Sequence, residues 1–496
     1  MTDPAPNPPK RSIWHNWISL AGGVVAGGSF FAFILLFAID QFGYSQKNPY
    51  VGILSYLIAP AFLFLGLALV LIGAWQQRRL LTRDPNASWP RLAIDFSRSR
   101  DRWILLWFAL GTVAFLLCTA LGSYSTYQFT ESVQFCGQVC HSVMKPEFVA
   151  YQRGNHARVA CVECHVGSGA TSFVKSKLNG SHQVYSLIFN KYHRPIPTPV
   201  SNLRPAQDTC ERCHWPEKFV GSIDRTYRHY LTDDKSTPFA VRLLLNVGGG
   251  DRSARGPAGG IHWHMNVANK IEYYATDPQR QAIPWVRVTG RDGIATVYRT
   301  PDFKGEPDPQ KIRVMDCIDC HNRPAHRFKS PDEAVDEALY LGHIDSGLPG
   351  IKRTAVDLLT QTYSTEAGAL AALDAGLKQH YAGQPGLDPS IAAVQDIYRD
   401  NFFPEMKSDW SKYPDNVGHL DSPGCFRCHD GNHKDAENPK RIVPNDCSTC
   451  HVILAQGRDA ELAQLSTAGL TFKHPDPGSI EGFLCSDCHN GKLQGQ

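Results

Sequence analysis

Seven times this 496-residue chain writes two cysteines followed directly by a histidine. Six copies read Cys-x-x-Cys-His: Cys161/Cys164/His165, Cys210/Cys213/His214, Cys317/Cys320/His321, Cys425/Cys428/His429, Cys447/Cys450/His451 and Cys485/Cys488/His489. The first copy is one residue longer, Cys136-Gly-Gln-Val-Cys140-His141. At two cysteines per copy they use fourteen of the 15 cysteines. Scattered at random, 15 Cys and 20 His would give roughly 0.02 such pentapeptides per chain, which excludes chance. Zinc sites pair Cys-x-x-Cys with further Cys or His ligands, and thioredoxin-like pairs occur singly beside a βαβ pattern; neither demands a His after the second Cys every time. Covalent attachment of c-type haem does, because the two thiols form thioethers with the vinyl groups and the adjacent His is placed under the iron. Seven such groups make the chain an electron wire by expectation.

Seven large planar cofactors on the residues after 130 would replace much of the side-chain core and permit long irregular connections. A net charge of +3 and a pI near 8.1 are too balanced for a nucleic-acid binder. Thioether formation requires reduced cysteines outside the cytoplasm, so the haem region belongs on the far side of a membrane.

Three apolar runs supply that membrane contact: Ile18 to Ile39, Val51 to Trp75 and Trp103 to Tyr124. Each is long enough for the roughly 20 residues of a bilayer-spanning helix. Lys10 and Arg11 precede the first run, and Arg78, Arg79, Arg83, Arg91, Arg98, Arg100 and Arg102 follow the second, whereas the connector Asp40 to Tyr50 offers only Lys47. The positive-inside rule then places the N-terminus and the arginine loop in the cytoplasm of a bacterial inner membrane, and everything after Tyr124 in the periplasm. No small-residue cleavage site closes the first run, which argues against a removed signal peptide. Gly23 and Gly27 stand at small-x-x-x-small spacing for close helix packing, Pro60 is expected to kink the second run, and Cys118 is read as apolar packing. None of the three runs contains a histidine, so the anchor has no bis-His means of holding a b-type haem.

The expected fold is mainly α with much irregular structure: three transmembrane helices plus a periplasmic multihaem domain with a small β insert and a helical insert. The segments are 1–128 (anchor), 129–214 (tri-haem), 215–316 (β-rich), 317–329 (fourth haem), 330–410 (helical) and 411–496 (second tri-haem). Within the β-rich segment, Val241 to Val247, Ile271-Glu-Tyr-Tyr, Trp285-Val-Arg-Val and Ala295-Thr-Val-Tyr are short β-branched and aromatic runs. The helical segment opens with Ser330-Pro-Asp-Glu333, a capping box with Pro at the first helical position, and Asp388-Pro389 starts another helix in the same way.

A low-spin haem that only passes electrons takes two strong axial ligands, so six regular motifs call for six further histidines. Candidates are His156, one of His262 and His264 with His264 favoured, His326, His419, His433 and His474. His193, His229, His343 and His380 are left as structural residues, and His15 is cytoplasmic.

Residues 130–214 resemble the NapC/NirT/NrfH family of membrane-anchored quinol-oxidising cytochromes. The resemblance rests on an apolar run ending before Phe135-Cys136, Cys-His-x-x-Met (Cys140 to Met144), Asn155-His156, Cys161-Val-Glu-Cys-His-Val166, Phe173-Val-Lys-Ser-Lys-Leu178 and Val184-Tyr185. It implies that haem 1 lies at the membrane surface, that Met144 replaces His141 as its axial ligand, and that Lys177 or Lys175 stands near the quinol. The family's acidic position is His182-Gln183 here, and the first motif carries an extra residue. As a whole the chain is similar to the inner-membrane heptahaem quinol cytochromes of metal-respiring bacteria.

The expected activity is a quinol dehydrogenase passing electrons from menaquinol or ubiquinol to a periplasmic c-type cytochrome or reductase in anaerobic or extracellular respiration, alone, as an oligomer or within a complex. Met144, Lys177, His182 and Glu147 are its candidate catalytic residues. Alternatives are a conduit subunit of a larger redox complex, or a terminal reductase; the latter favours Cys-x-x-Cys-Lys, which the chain lacks.

Overall fold

The computed structural model describes residues 16–42, 58–83, 97–103, 106–107, 110, 124–125, 127–139, 141–167, 170–199, 205–215, 219, 221–248, 260–265, 269–475, 480 and 482–493. Two compact units divide the chain. One comprises residues 1–130 and 166–180, the other 131–165 and 181–496.

In the first unit, α1 (Trp17–Phe42) and α2 (Ala59–Arg83) are long and apolar enough to cross a membrane. Residues 111–123 of the third apolar run, with Cys118, and residues 43–57 lie outside the described residues. Asn16 caps α1, its Oδ1 accepting from the Ser19 amide at 2.8 Å, and Ser19 Oγ donates across to the Val70 carbonyl at 3.0 Å. Glycine lets the two backbones meet here. A methyl group at Gly22 would lie 2.6 Å from the Gly66 carbonyl, and one at Gly66 would lie 2.5 Å from the Ala26 amide. The stripe packed between α1 and α2 is Gly22/Ala26 against Gly66, one residue along from the expected Gly23/Gly27, around which no atom of the described residues lies within 4 Å. Pro60 is the second residue of α2, directly preceded by π-helical backbone at Ile58, and the start of the run it was expected to kink, residues 51–57, lies outside the described residues.

The second unit is mostly helical and irregular, with two small antiparallel sheets. One has the order β1 (Ile223–Tyr230), β2 (Pro238–Leu245), β8 (His451–Gly457). The other runs β6 (Arg313–Val314), β3 (Lys270–Tyr274), β4 (Trp285–Thr289), β5 (Ala295–Arg299), β7 (Lys434–Asp435). All four runs expected as strands contribute, and both sheets are completed by strands from the second tri-haem segment. The register pairs Leu245 with His451, so a haem-attachment motif is locked to a sheet edge.

Four helices follow: α3 (Pro331–Tyr340), α4 (Ile351–Leu359), α5 (Glu366–Tyr381) and α6 (Leu387–Asn401). Ser330 caps α3 by accepting from the Glu333 amide at 3.2 Å, while the Glu333 carboxylate, expected to complete the capping box, pairs with Arg327 at 2.7 Å instead. Gly386, at φ 79°, opens α6 in the place expected of Asp388. The core between them contains Val335, Ile351, Leu359, Leu373, Leu377 and Val394, each fully buried or nearly so. Against it lies one buried cation: Lys352 Nζ reaches Asp332 at 2.9 Å and Asp336 at 2.7 Å, and also bonds the Tyr230 carbonyl, tying α4 to α3 and to β1.

Replacing Gly22 or Gly66 by Val should weaken the α1–α2 pair by about 1–3 kcal/mol, as overpacking of a close contact does. Gly23→Val should leave it intact. Thermal unfolding in detergent of the three variants measures the contrast.

Candidate haem sites and the membrane-proximal motif

Helical turns place the attachment residues. Cys161–His165, Cys317–Cys320 and Cys485–Cys488 are short α-helices, and Gly424–Arg427 and Cys447–Thr449 are 3-10 turns. In an α-helical turn residues i, i+3 and i+4 share a face, which brings both sulfurs and the imidazole toward the same planar group, and in the 3-10 turns the two cysteines at i and i+3 eclipse one another. The His amide closes the turn, His214, His321 and His489 each bonding the first Cys carbonyl at 2.8 Å. The longer first motif is accommodated by a π-helix, Phe135–Val139, whose wider turn takes up the extra residue. Gly137 within it has the Phe148 ring where a side chain would be. Cys140 and the His141 side chain lie outside the described residues.

Each regular motif's histidine faces a second histidine. His165 pairs with His326 at a ring-centre distance of 6.2 Å, His214 with His156 at 6.0 Å, and His321 with His262 at 6.3 Å. His429 pairs with His264 at 5.8 Å, His451 with His419 at 6.3 Å, and His489 with His474 at 6.0 Å. Rings this far apart are not stacked on one another. Two metal–imidazole bonds of about 2.0–2.1 Å, each extended by roughly 1 Å from nitrogen to ring centre, separate ring centres by about 6 Å. The six gaps therefore fit an iron between two imidazoles.

Hydrogen bonding orients the rings accordingly. Nδ1 lies 3.0 Å from the Pro324 carbonyl in His156, 2.6 Å from that of Val247 in His262 and 2.7 Å from that of Ile261 in His264. In His326 it lies 3.0 Å from the Glu147 carbonyl, and in His429 2.5 Å from that of Pro444. A carbonyl only accepts, so Nδ1 carries the proton and the Nε2 lone pair is free for a metal. Burial lowers the pKa of His165, His264, His321, His326, His419, His429, His451 and His489, favouring the neutral, ligating form. The His419–His451 pair is oriented differently. Nδ1 of both rings is buried without a hydrogen bond, and Phe426 stacks on His419 at 4.3 Å.

At one position the geometry departs from expectation. His433 is 1% exposed, its Nδ1 is 2.8 Å from Asp430 Oδ1 and its Nε2 2.7 Å from the Ile283 carbonyl, so neither nitrogen is left for iron. His262 takes the vacated role, and His262 and His264 both face attachment histidines. They sit on the 3-10 helix Ile261–Met265, where residues two apart point about 240° apart and can serve different partners. Gly260, at φ +102°, makes the tight entry to that helix, and a side chain there would strike the Gly248 and Asn246 carbonyls. The His-x-His spacing was the available signal.

Attachment cysteines of successive motifs are neighbours. The Cys136 and Cys161 thiols lie close enough to perturb one another electrostatically, as do those of Cys210 and Cys317. Cys164 lies within electrostatic reach of Cys210 and Cys213, Cys320 of Cys425 and Cys428, Cys450 of Cys425, and Cys485 of Cys447. From first to seventh, each site adjoins the next in chain order.

A profile of the NapC/NirT cytochrome c family, N-terminal region, matches residues 98–196. Over 497 aligned residues, the chain is 42% identical to the cytochrome c-type protein ImcH of Geobacter sulfurreducens, covering 96% of this chain and 95% of that protein. The chain belongs to this family of c-type cytochromes. It is thus a membrane-anchored, multihaem electron-transport protein with covalently bound haem c. No solved structure matches this cytochrome.

The candidate quinol residues of the cytochrome are distributed as follows. Met144 is half-buried on the helix His141–Arg153. Lys177, half-buried on the helix Ala170–Ile188, bonds Thr130 Oγ1 at 3.3 Å and lies over the Tyr127 ring at 5.6 Å, while Lys175 is exposed. His182 is exposed, 6.4 Å from the Tyr185 ring. Glu147 differs from its expected place. Its side chain is 12% exposed and paired with Arg323 at 3.1 Å.

His262→Met and His264→Met should each remove one bis-His low-spin haem from the electron paramagnetic resonance spectrum of the oxidised holoprotein. His433→Gln should remove none. A pyridine haemochrome assay should return seven haems per chain for all three.

Proposed function

We propose that this cytochrome carries seven haems, oxidises quinol at the periplasmic face of the inner membrane and delivers the electrons to a periplasmic acceptor. The observation that carries the reading is the set of six imidazole pairs at 5.8–6.3 Å on attachment sites that adjoin one another in chain order. Those pairs engage all six regular motifs, and the family resemblance offers Met144 to the remaining one.

Haem c, when bound, supplies one-electron redox chemistry. Quinol oxidation releases two electrons and two protons, so this chain must also hold the quinol oxygens and take up protons. Lys177 and His182 are assigned that task. The Lys177 ammonium donates to a quinol oxygen, anchored by Thr130 and Tyr127 just upstream of Cys136. His182, exposed on the same helix, is assigned as the proton acceptor. As the ligand the family resemblance makes it, the Met144 thioether would be a weaker donor than imidazole and would favour reduced iron, which suits the point of electron entry. With protons and electrons released on one side, the step moves no net charge across the membrane. The C-terminal motifs, last in the file, are assigned to the acceptor.

Reconstituted into liposomes, the holoprotein should be reduced by a menaquinol analogue. Met144→Ala should keep its haem content and lose most of that rate. His182→Gln should lower kcat on the order of 10²-fold, the scale of a lost proton-transfer group. A wild type that no quinol reduces would refute the reading and favour the conduit role.

A further inference from the structure

His326, the partner of His165, is held by one residue in two ways. Its Nδ1 is 3.0 Å from the Glu147 carbonyl oxygen and 3.3 Å from Glu147 Oε2. Glu147 is in turn gripped by Arg323, whose Nη2 lies 3.1 Å and 3.4 Å from the two carboxylate oxygens and whose Nε donates to the His326 carbonyl at 2.7 Å. Arg323 is 7% exposed, and its guanidinium lies 4.9 Å from the Phe328 ring centre and 4.2 Å from that of Tyr413. A carboxylate and a guanidinium thus sit against one imidazole, largely shielded from water, where charge acts more strongly than at the surface.

We infer that Glu147 is a positioning residue that sets the redox potential at the second attachment site through His326, with Arg323 as its counterweight. The inference rests on the reading of His165 and His326 as an iron-ligand pair. The Nδ1–H goes to the Glu147 main-chain carbonyl, and the adjacent carboxylate acts through its charge: a negative charge beside a ligand imidazole stabilises oxidised iron and lowers the potential, and a nearby cation acts in the opposite sense. Location gives the effect a purpose. Glu147 lies on the helix His141–Arg153, one turn after Met144, and the Cys136 and Cys161 thiols of the first two motifs lie within electrostatic reach of one another. The residue therefore acts on the first acceptor beyond the proposed entry site and sets the driving force for leaving it.

The test is potentiometric titration of the purified holoprotein, followed by visible and electron paramagnetic resonance spectra. Glu147→Gln preserves size, the backbone carbonyl and the haem count, and should move one low-spin transition to higher potential; Glu147→Asp should largely restore it. Arg323→Gln should move the same transition the other way. Wild-type titration curves for Glu147→Gln, or shifts of the same sign in the Glu147→Gln and Arg323→Gln variants, would overturn the inference. Should Arg323→Gln fail to fold, the Gln/Asp pair at position 147 decides alone, since a merely structural role would change thermal stability without moving a transition. His326→Met tests the underlying ligand pair: loss of one bis-His signal upholds it, and an unchanged spectrum overturns both it and the inference. Quinol reduction of the wild type is scored separately, so failure of the quinol reading is distinguishable from failure here.

Discussion

One helical turn per motif is the constraint on which the rest of this molecule depends. Two thiols at i and i+3 and an imidazole at i+4 share a face only while the turn is intact, and the His amide closing back on the first Cys carbonyl keeps it so. Where the first motif adds a residue, the backbone widens to a π turn. Opposite each turn, a second imidazole must be presented with its Nε2 forward. The protein does this mainly with main-chain carbonyls, at Pro324, Val247, Ile261 and Glu147, which fix the proton on Nδ1 and the ring in its plane. The irregular connections serve that purpose, for a loop can bring a carbonyl to a point that a regular ladder would already have used.

The candidate attachment motifs stand out in the sequence because their chemistry is local: all three groups fall within five or six residues. Of the facing histidines, His156, His264, His326, His419 and His474 stand in the expected set, whereas their partners, and the joint use of His262, do not follow from it. His326 follows the fourth motif by five residues yet faces the second, and His156, between the first two motifs, faces the third. Nothing in spacing encodes such crossing, since it depends on how segments distant in sequence pack. His433 illustrates the same limit. Its sequence setting after Cys-His-Asp-Gly-Asn resembles a ligand's, but Asp430 and the Ile283 carbonyl, 150 positions away, absorb both nitrogens. In the anchor, a glycine motif was visible while its rotation was not, because Gly22 and Gly23 differ only by which face meets α2.

Alternation and capping signals located the strands and helices, as at Trp285–Thr289 and Ser330. They did not show that the sheets are joint property of two segments. β7 has two residues, too few for a periodic signal, and β8 starts on a histidine already assigned to haem. The four-helix element is likewise bound to its surroundings by more than apolar contact. Lys352, 3% exposed, links Asp332 and Asp336 to the end of β1, and Asp332 contributes to the electrostatic environment of His489. A buried cation with two carboxylates is weak evidence of stability, since replacing such groups by apolar ones is often neutral, but it specifies which elements may dock.

Crossed pairing of histidines and the ordered succession of motifs together explain how a chain with modest apolar cores holds one arrangement. Successive attachment sites adjoin in chain order, so the path is laid down as the chain is read. The facing histidines supply the braces: His326 ties the fourth segment back to the second, and His262 and His264, two residues apart, tie one loop to the fourth and fifth motifs at once. A wire built from local turns alone would be a flexible string. With each brace reaching across the sequence, the spacing between neighbouring sites is fixed by several segments together, which a file of electron carriers requires and which the sequence, read locally, could not display.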